Sequence, residues 1–298
     1  MQTILRFVVR WVVRPIFNPR VPIPRQRRLL TLATRLRLLP RGVRCTAESL
    51  GGVPGQCNTA ADADGTTAVL YLHGGAYCCG SPETHRTLCA RLAGSARTAV
   101  HALDYRLAPE HPFPAALDDA VAAYAALLEQ GLSPARVVVA GDSAGGGLAL
   151  ALALRLRDQG LPMPALLYLI SPWVDMTFSG ESATARAAID PMITAAWGLA
   201  CRQHYAGASQ FDEPLLSPLF ADLQGMPAML IDVGSDEVLY SDAERLAARA
   251  AQAGVAVELR VYDGLWHVFH VFAGIWRTAN AALDGAAEKI RARTAAAG

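Results

Sequence analysis

Gly141-Asp142-Ser143-Ala144-Gly145 follows an apolar run, Val137 to Ala140, and opens a segment rich in alanine and leucine. A G-x-S-x-G between a strand and a helix is a nucleophile elbow, a sharp turn that lifts a serine hydroxyl clear of the sheet. Glycines flank the serine because a side chain there would collide with the neighbouring strand and helix, and because the turn needs backbone angles that other residues resist. Ser143 is the candidate nucleophile. A second turn, His73-Gly74-Gly75-Ala76, ends the apolar run Val69 to Leu72. Glycine-rich turns leave backbone N–H groups unshielded, and converging N–H groups are what a tetrahedral acyl-transfer intermediate requires. The expected donors are Gly75, Ala76 and Ala144, with Gly74 shaping the turn.

A general base should follow the nucleophile in the chain, with an acid between them. Of seven histidines only His267 and His270 come late, and His267 follows the strand-like run Val257 to Val261 and the turn Asp263-Gly264. His267 is therefore the expected base, and His270 is expected to face a helix or solvent. The acid belongs after the buried run Ala228 to Val233, in Gly234-Ser235-Asp236-Glu237-Val238-Leu239. Adjacent turn residues point in different directions, so one of Asp236 and Glu237 should touch the imidazole. Local chemistry does not choose between them.

These residues resemble the hormone-sensitive-lipase-like group of α/β-hydrolase esterases from about residue 65 onward. The likeness is carried by His73-Gly74-Gly75-Ala76, by the stretch from Asp104-Tyr105-Arg106 through Pro109-Glu110-His111-Pro112-Phe113-Pro114 to Ala116, by the elbow and by Ser171-Pro172-Trp173. The resemblance implies an α/β-hydrolase fold: a mostly parallel central sheet flanked by helices, under a helical cap. It implies that Asp104-Tyr105-Arg106 buttresses the oxyanion turn. It also puts Glu237 in the slot of the family's usual aspartate, favouring Glu237 over Asp236 as the acid, while Ala76 replaces the usual third glycine. The implied activity is a serine carboxylesterase for short to medium acyl esters, with no requirement for an oil–water interface. Amide hydrolysis, acyl transfer, or ligand binding without catalysis on the same fold are the competing readings.

The elements that must position these groups follow from pattern. With 52% hydrophobic residues in 298, the chain can bury one large core. Strands are predicted near 69–73, 98–104, 136–141, 165–170, 228–233 and 256–262, and helices near 83–95, 115–130, 144–158, 241–253 and 270–293, with 51–67 read as a loop. Every proposed catalytic group then falls just past the carboxyl end of a strand. The stretch 176–220 breaks this rhythm, with Asp190-Pro191 opening a helix. It reads as a second cap segment set into a catalytic domain of residues 46–298, joining an N-terminal cap segment of residues 1–45. Met192, Trp197 and Tyr205, with Phe17 and Phe211, are candidate pocket walls, and Tyr77 and Asp142 candidate substrate contacts beside the two turns.

A net charge of +1 leaves no footprint for nucleic acid, and neither zinc-type cysteine spacing nor a phosphate-binding glycine loop is present. No cofactor or metal is expected. The charge is nonetheless uneven: residues 1–44 hold many arginines and no acidic residue. Arg6, Arg10 and Arg14 recur every fourth residue on an otherwise apolar helix, which suits either an arginine-edged lid, the favoured reading, or peripheral contact with an anionic membrane. Six irregularly spaced cysteines without an export signal point to free thiols and a cytoplasmic setting. Cys78 and Cys79 are expected to be small apolar core residues. A homodimer is suggested by the similar esterases.

Overall fold

The computed structural model describes residues 1–35, 39–207 and 209–295. Eight strands form one sheet in the order β1-β2-β4-β3-β5-β6-β7-β8. They are β1 (Val43–Leu50), β2 (Val53–Ala60), β3 (Ala68–Leu72), β4 (Ala99–Leu103), β5 (Val137–Asp142), β6 (Leu166–Ile170), β7 (Ala228–Gly234) and β8 (Val257–Tyr262). From β4 to β8 all pairings are parallel, while β1–β2 and β2–β4 are antiparallel.

β3 and β6 are apolar and buried along their whole length, and β5 and β7 nearly so, because both faces of the central sheet are covered. Leu70, Leu72, Val137, Val139, Leu167, Leu169, Ile231 and Val233 belong to one buried cluster with α4 (Ala115–Glu129), α5 (Ala144–Asp158) and α8 (Tyr240–Gln252). Their alternates Val69, Tyr71, Val138, Ala140, Tyr168 and Ile170 pack on Leu88 and Leu92 of α3 (Pro82–Ala96) and on Leu283 and Ile290 of α9 (Arg277–Ala295). After β3 the chain steps to β4 on one side and then to β5 on the other. That reversal makes a crevice at the carboxyl ends of β3 and β5, where His73–Ala76 and Ser143 emerge.

The stretch 51–67, expected as a loop, instead holds β2, which pairs with β1 just before it. Gly51 and Gly52, both at positive φ (58° and 82°), close a two-residue hairpin that pairs Leu50 with Val53, the geometry a right-twisted ribbon favours. Pro54 and Gly55 lower the strand propensity of β2, but pairing on both edges overrides it. β1 also begins inside the segment assigned to the N-terminal cap. In the later chain, α7 (Ala195–Ala206) starts after Asp190-Pro191, where the Thr194 hydroxyl accepts from the Trp197 N–H, and residues 269–272 form a short 3₁₀ turn before α9.

On β1 and β4 the Glu48 carboxylate lies 2.9 Å from His101 Nδ1, with both side chains largely buried. Burial alone would favour the neutral ring, but Cys57 and Glu48 beside it raise the imidazole to about 9. A raised histidine contributes stability that is complete below its ordinary value near 6.5 and disappears as pH climbs through about 9. Glu48→Gln should therefore cost about 2–3 kcal/mol in urea unfolding below pH 6.5, with the gap from wild type closing above about pH 9. A gap independent of pH would mean that packing, not the ion pair, holds the hairpin.

Candidate active site

The elbow is held by contact on all sides. Ser143 sits at φ 54° and ψ −122°; its N–H donates to the Ile170 carbonyl and its own carbonyl accepts from the Trp173 N–H. A Cβ on Gly145 would run into the Leu72 and His73 carbonyls, and one on Gly141 into the Gly145 carbonyl. These two positions are glycine because β3 and α5 approach that closely. Ala76, Tyr77, Ser171 and Val268 are also at positive φ. Four non-glycine residues in that region beside Ser143, one of them β-branched, mark a site where packing fixes unfavourable backbone.

His267 Nε2 lies 3.0 Å from Ser143 Oγ. Behind it, Glu237 Oε2 stands 3.5 Å from His267 Nδ1, and the Glu237 side chain is fully buried. The Ser171 hydroxyl donates to Glu237 Oε2 at 2.9 Å and accepts from the Val268 N–H at 3.1 Å, tying the carboxylate to the loop that carries the imidazole. Asp236 points elsewhere, into an ion pair with Arg6 at 2.8 Å. Burial alone would lower the His267 pKa; Glu237, then Asp190 and Asp142, outweigh it and leave it raised above its ordinary value.

Gly74 donates its N–H to Asp142 Oδ1 at 3.0 Å, and the same oxygen accepts from the Tyr71 hydroxyl at 2.7 Å. His85 Nε2 lies 3.3 Å from the other carboxylate oxygen. Burial pushes the Asp142 carboxyl up, but His85 and Tyr71 outweigh it and hold it below its usual value. Asp142 thus both borders the cavity and braces the glycine turn. Among the described residues the N–H groups of Gly75, Ala76 and Ala144 meet no protein acceptor. From the 104–106 stretch, the Tyr105 hydroxyl donates to the His73 carbonyl at 2.6 Å, whereas Arg106 turns away to Asp119.

A cavity of about 260 Å³ opens over Ser143, with Gly74, Gly75 and His267 at its floor and Phe17, Met192 and Trp197 among its walls. Trp197 is fixed by Phe17, ring centroids 4.6 Å apart, and by its N–H to Gln26. Tyr77 and Tyr205 do not reach it. They stack on each other, 3.8 Å between centroids and 3° from coplanar, because two large rings behind the turn bury each other. Phe211 is likewise outside, under the Arg202 guanidinium. Cys78 and Cys79 are fully buried and all six cysteines are free. His270, expected toward a helix or solvent, is wholly buried, 3.1 Å from Asp232, a carboxylate that Arg260 also clasps. Glu48, Cys57 and His101 are the one group of possible metal donors among the described residues, and two of the three are engaged in the ion pair above.

Sequence reasoning missed Asp190 and Ser171 as parts of the site. Asp190 is completely buried; one oxygen accepts from the Met192 and Ile193 N–H groups and the other from Val238, next to Glu237. Burial pushes its carboxyl up to about 6, against the pull of His267. Asp190-Pro191 does carry the local turn signal. The bond to Val238 joins residues 48 apart in sequence and has none. The arginine stripe also resolves: Arg6, Arg10 and Arg14 donate to the carbonyls of Ile189, Ala188 and Asp190 at 2.8, 3.0 and 2.7 Å, so α1 (Gln2–Val8) and the π-helical turn that continues it clasp the 187–190 segment.

Residues 69–271 match the model of a family with the alpha/beta hydrolase fold. The chain is 45% identical over 231 residues to an acetyl-hydrolase of Streptomyces hygroscopicus, covering 78% of this chain and 77% of that one. It is 41% identical to an esterase of Acinetobacter venetianus, with 80% and 79% covered. A solved esterase from the bacterial hormone-sensitive lipase family superposes with a TM-score of 0.94 at 38% identity over 98% of both chains. The esterase EstE5, in a crystal soaked with p-nitrophenyl butyrate, superposes at 0.93 and 38% over 99% of this chain and 98% of that one. With an elbow serine, a buried imidazole and likeness over nearly its whole length, the chain belongs to the hormone-sensitive-lipase-like family of α/β-hydrolases and is a carboxylic ester hydrolase.

Proposed function

We propose that the protein hydrolyses short- to medium-chain acyl esters through an acyl-enzyme, with Ser143 as nucleophile, His267 as base and Glu237 as the acid that orients it. The observation that carries this reading is the 3.0 Å contact between His267 Nε2 and Ser143 Oγ under the cavity. As Ser143 Oγ attacks the ester carbonyl, its proton passes to Nε2, and Glu237 stabilises the imidazolium from the Nδ1 side. The Gly75, Ala76 and Ala144 N–H groups take the developing oxyanion, each such donor being worth about 3 kcal/mol in the transition state. The alkoxide leaves with the proton from Nε2. Water then attacks the acyl-enzyme, its proton passes to Nε2, and Ser143 recovers it as the acid departs.

The small cavity supports the preference for short chains, since about 260 Å³ falls below the roughly 300–1,000 Å³ of sites for drug-sized ligands. The p-nitrophenyl butyrate soaked into the EstE5 crystal is an ester of that size. The segment before β1 and residues 176–220 act as the cap, since they supply Phe17, Met192 and Trp197 to the walls. Rapid mixing with p-nitrophenyl esters from acetyl to palmitoyl should give a stoichiometric burst of p-nitrophenol, with kcat/KM highest between butanoyl and octanoyl. A matched anilide should turn over far more slowly. Mass mapping after a serine-reactive phosphonate should place the label on the Ser143 peptide; a label elsewhere, or a burst absent with every ester, would refute the mechanism.

A further inference from the structure

We propose that the N-terminal helical segment docks the protein onto an anionic lipid surface, with the mouth of the cavity facing the lipid. A helix at the surface of a water-soluble protein normally turns its charges outward. Here the order is inverted. Arg6, Arg10 and Arg14 bond inward to the 188–190 carbonyls and Leu5 and Val9 are buried, which leaves Ile4 65%, Phe7 65%, Trp11 64% and Val12 58% exposed. On α2 (Ile23–Thr34), Leu32 is 65% exposed. It lies on one stripe with the exposed Arg25, Arg28 and Arg35, at helical offsets of three and four.

The patch is continuous with the site. Val8 and Val12 on one helix and Leu30, Ala33 and Thr34 on the other line the cavity, so both helices frame its opening and both carry exposed apolar side chains beyond it. Charge chooses the occupant. On this face Arg25, Arg28 and Arg35 are exposed, and residues 1–44 contain no acidic residue to offset them. A second copy seated on this face in a two-fold dimer would set the same arginines against one another, whereas lipid phosphates complement them and an acyl layer takes the aromatic and aliphatic side chains. No helix among the described residues is long and apolar enough to cross a membrane, so the contact is with the surface. Docked this way, a lipid-dissolved ester reaches Ser143 without crossing water.

The test reads binding apart from turnover, on the native chain and on Ser143→Ala alike. Vesicles of phosphatidylcholine alone, or one-third phosphatidylglycerol, are sedimented with protein at low and high salt. Recovery should require the anionic lipid, fall with salt, and bring a blue shift in tryptophan emission. That shift reports Trp11, because Trp173, Trp197, Trp266 and Trp276 are already buried. Phe7→Ser/Trp11→Ser should abolish recovery, and Arg28→Gln/Arg35→Gln should weaken it about fivefold per arginine removed. None of these four residues lines the cavity, so unchanged hydrolysis of a soluble short ester certifies the fold. Equal recovery of native and variant chains, or no recovery of the native chain at low salt, overturns the proposal. The second result, together with a dimer that Phe7→Ser/Trp11→Ser dissolves, assigns the face to another copy of the chain.

Discussion

Ser143→Ala should lower kcat with a short p-nitrophenyl ester by about 10⁵- to 10⁶-fold and remove the p-nitrophenol burst. The size of the loss follows from how the groups act together. Without the hydroxyl there is no acyl-enzyme, and His267 is left with only water to activate, in a place set for an oxygen 3.0 Å away. What remains is the stabilisation from the backbone donors and the cavity, worth 10³–10⁴ over water in comparable sites by order of magnitude. KM should change little, because the walls are untouched. Stability should also be nearly unaffected, since alanine keeps the Cβ and both backbone bonds of the elbow. A variant that unfolds at the wild-type temperature yet turns over within about tenfold of wild type would remove Ser143 from the mechanism.

How much of this was legible in the sequence depended on how local the cause was. β3, β5, β6 and β7 could be read because central strands covered on both faces are largely apolar, and a run such as Val69 to Leu72 has no other stable place. The elbow was legible for the same reason: Gly141 and Gly145 answer steric contacts within a few residues and one neighbouring strand. β1 and β2 were not, because an edge hairpin with one wet face carries Arg44, Glu48, Pro54 and Gly55. Its Gly51-Gly52 turn was the signal that stood unread. Tyr77 and Tyr205 carry the sequence signal of pocket walls but do not reach the cavity, since an aromatic beside a site fills core as readily as it lines a pocket. Ser171 and Asp190 were invisible as site residues, because their partners lie 66 and 48 positions away. His270 shows the same limit: three residues past His267, its burial against Asp232 depends on β7 and β8 closing over it.

Glu237→Gln and Asp236→Asn, measured side by side, should separate by about a thousandfold. In Glu237→Gln the amide keeps the shape of the group that accepts from Ser171, but it removes the negative charge 3.5 Å from His267 Nδ1 and can offer N–H where the ring needs an acceptor. The imidazole is then free to take the wrong tautomer and the imidazolium loses its counter-charge, a combination worth about 10³- to 10⁴-fold in kcat. Asp190 cannot take over, because both its oxygens are bound to backbone N–H groups. Asp236→Asn breaks a partly exposed pair with Arg6, and such pairs contribute about 0–1 kcal/mol, so turnover should stay within about threefold. The pH profile distinguishes an electrostatic partner from a merely structural one. His267 must be neutral to act, and with its pKa held above the ordinary value wild-type kcat/KM should fall on the acid side while pH is still above 6.5. Removing the Glu237 charge lowers that pKa, so the acid limb of Glu237→Gln should move to lower pH even as its plateau collapses. A collapse with no shift of the limb would make Glu237 a packing residue, and an equal loss in Asp236→Asn would return the acid to the position that faces Arg6.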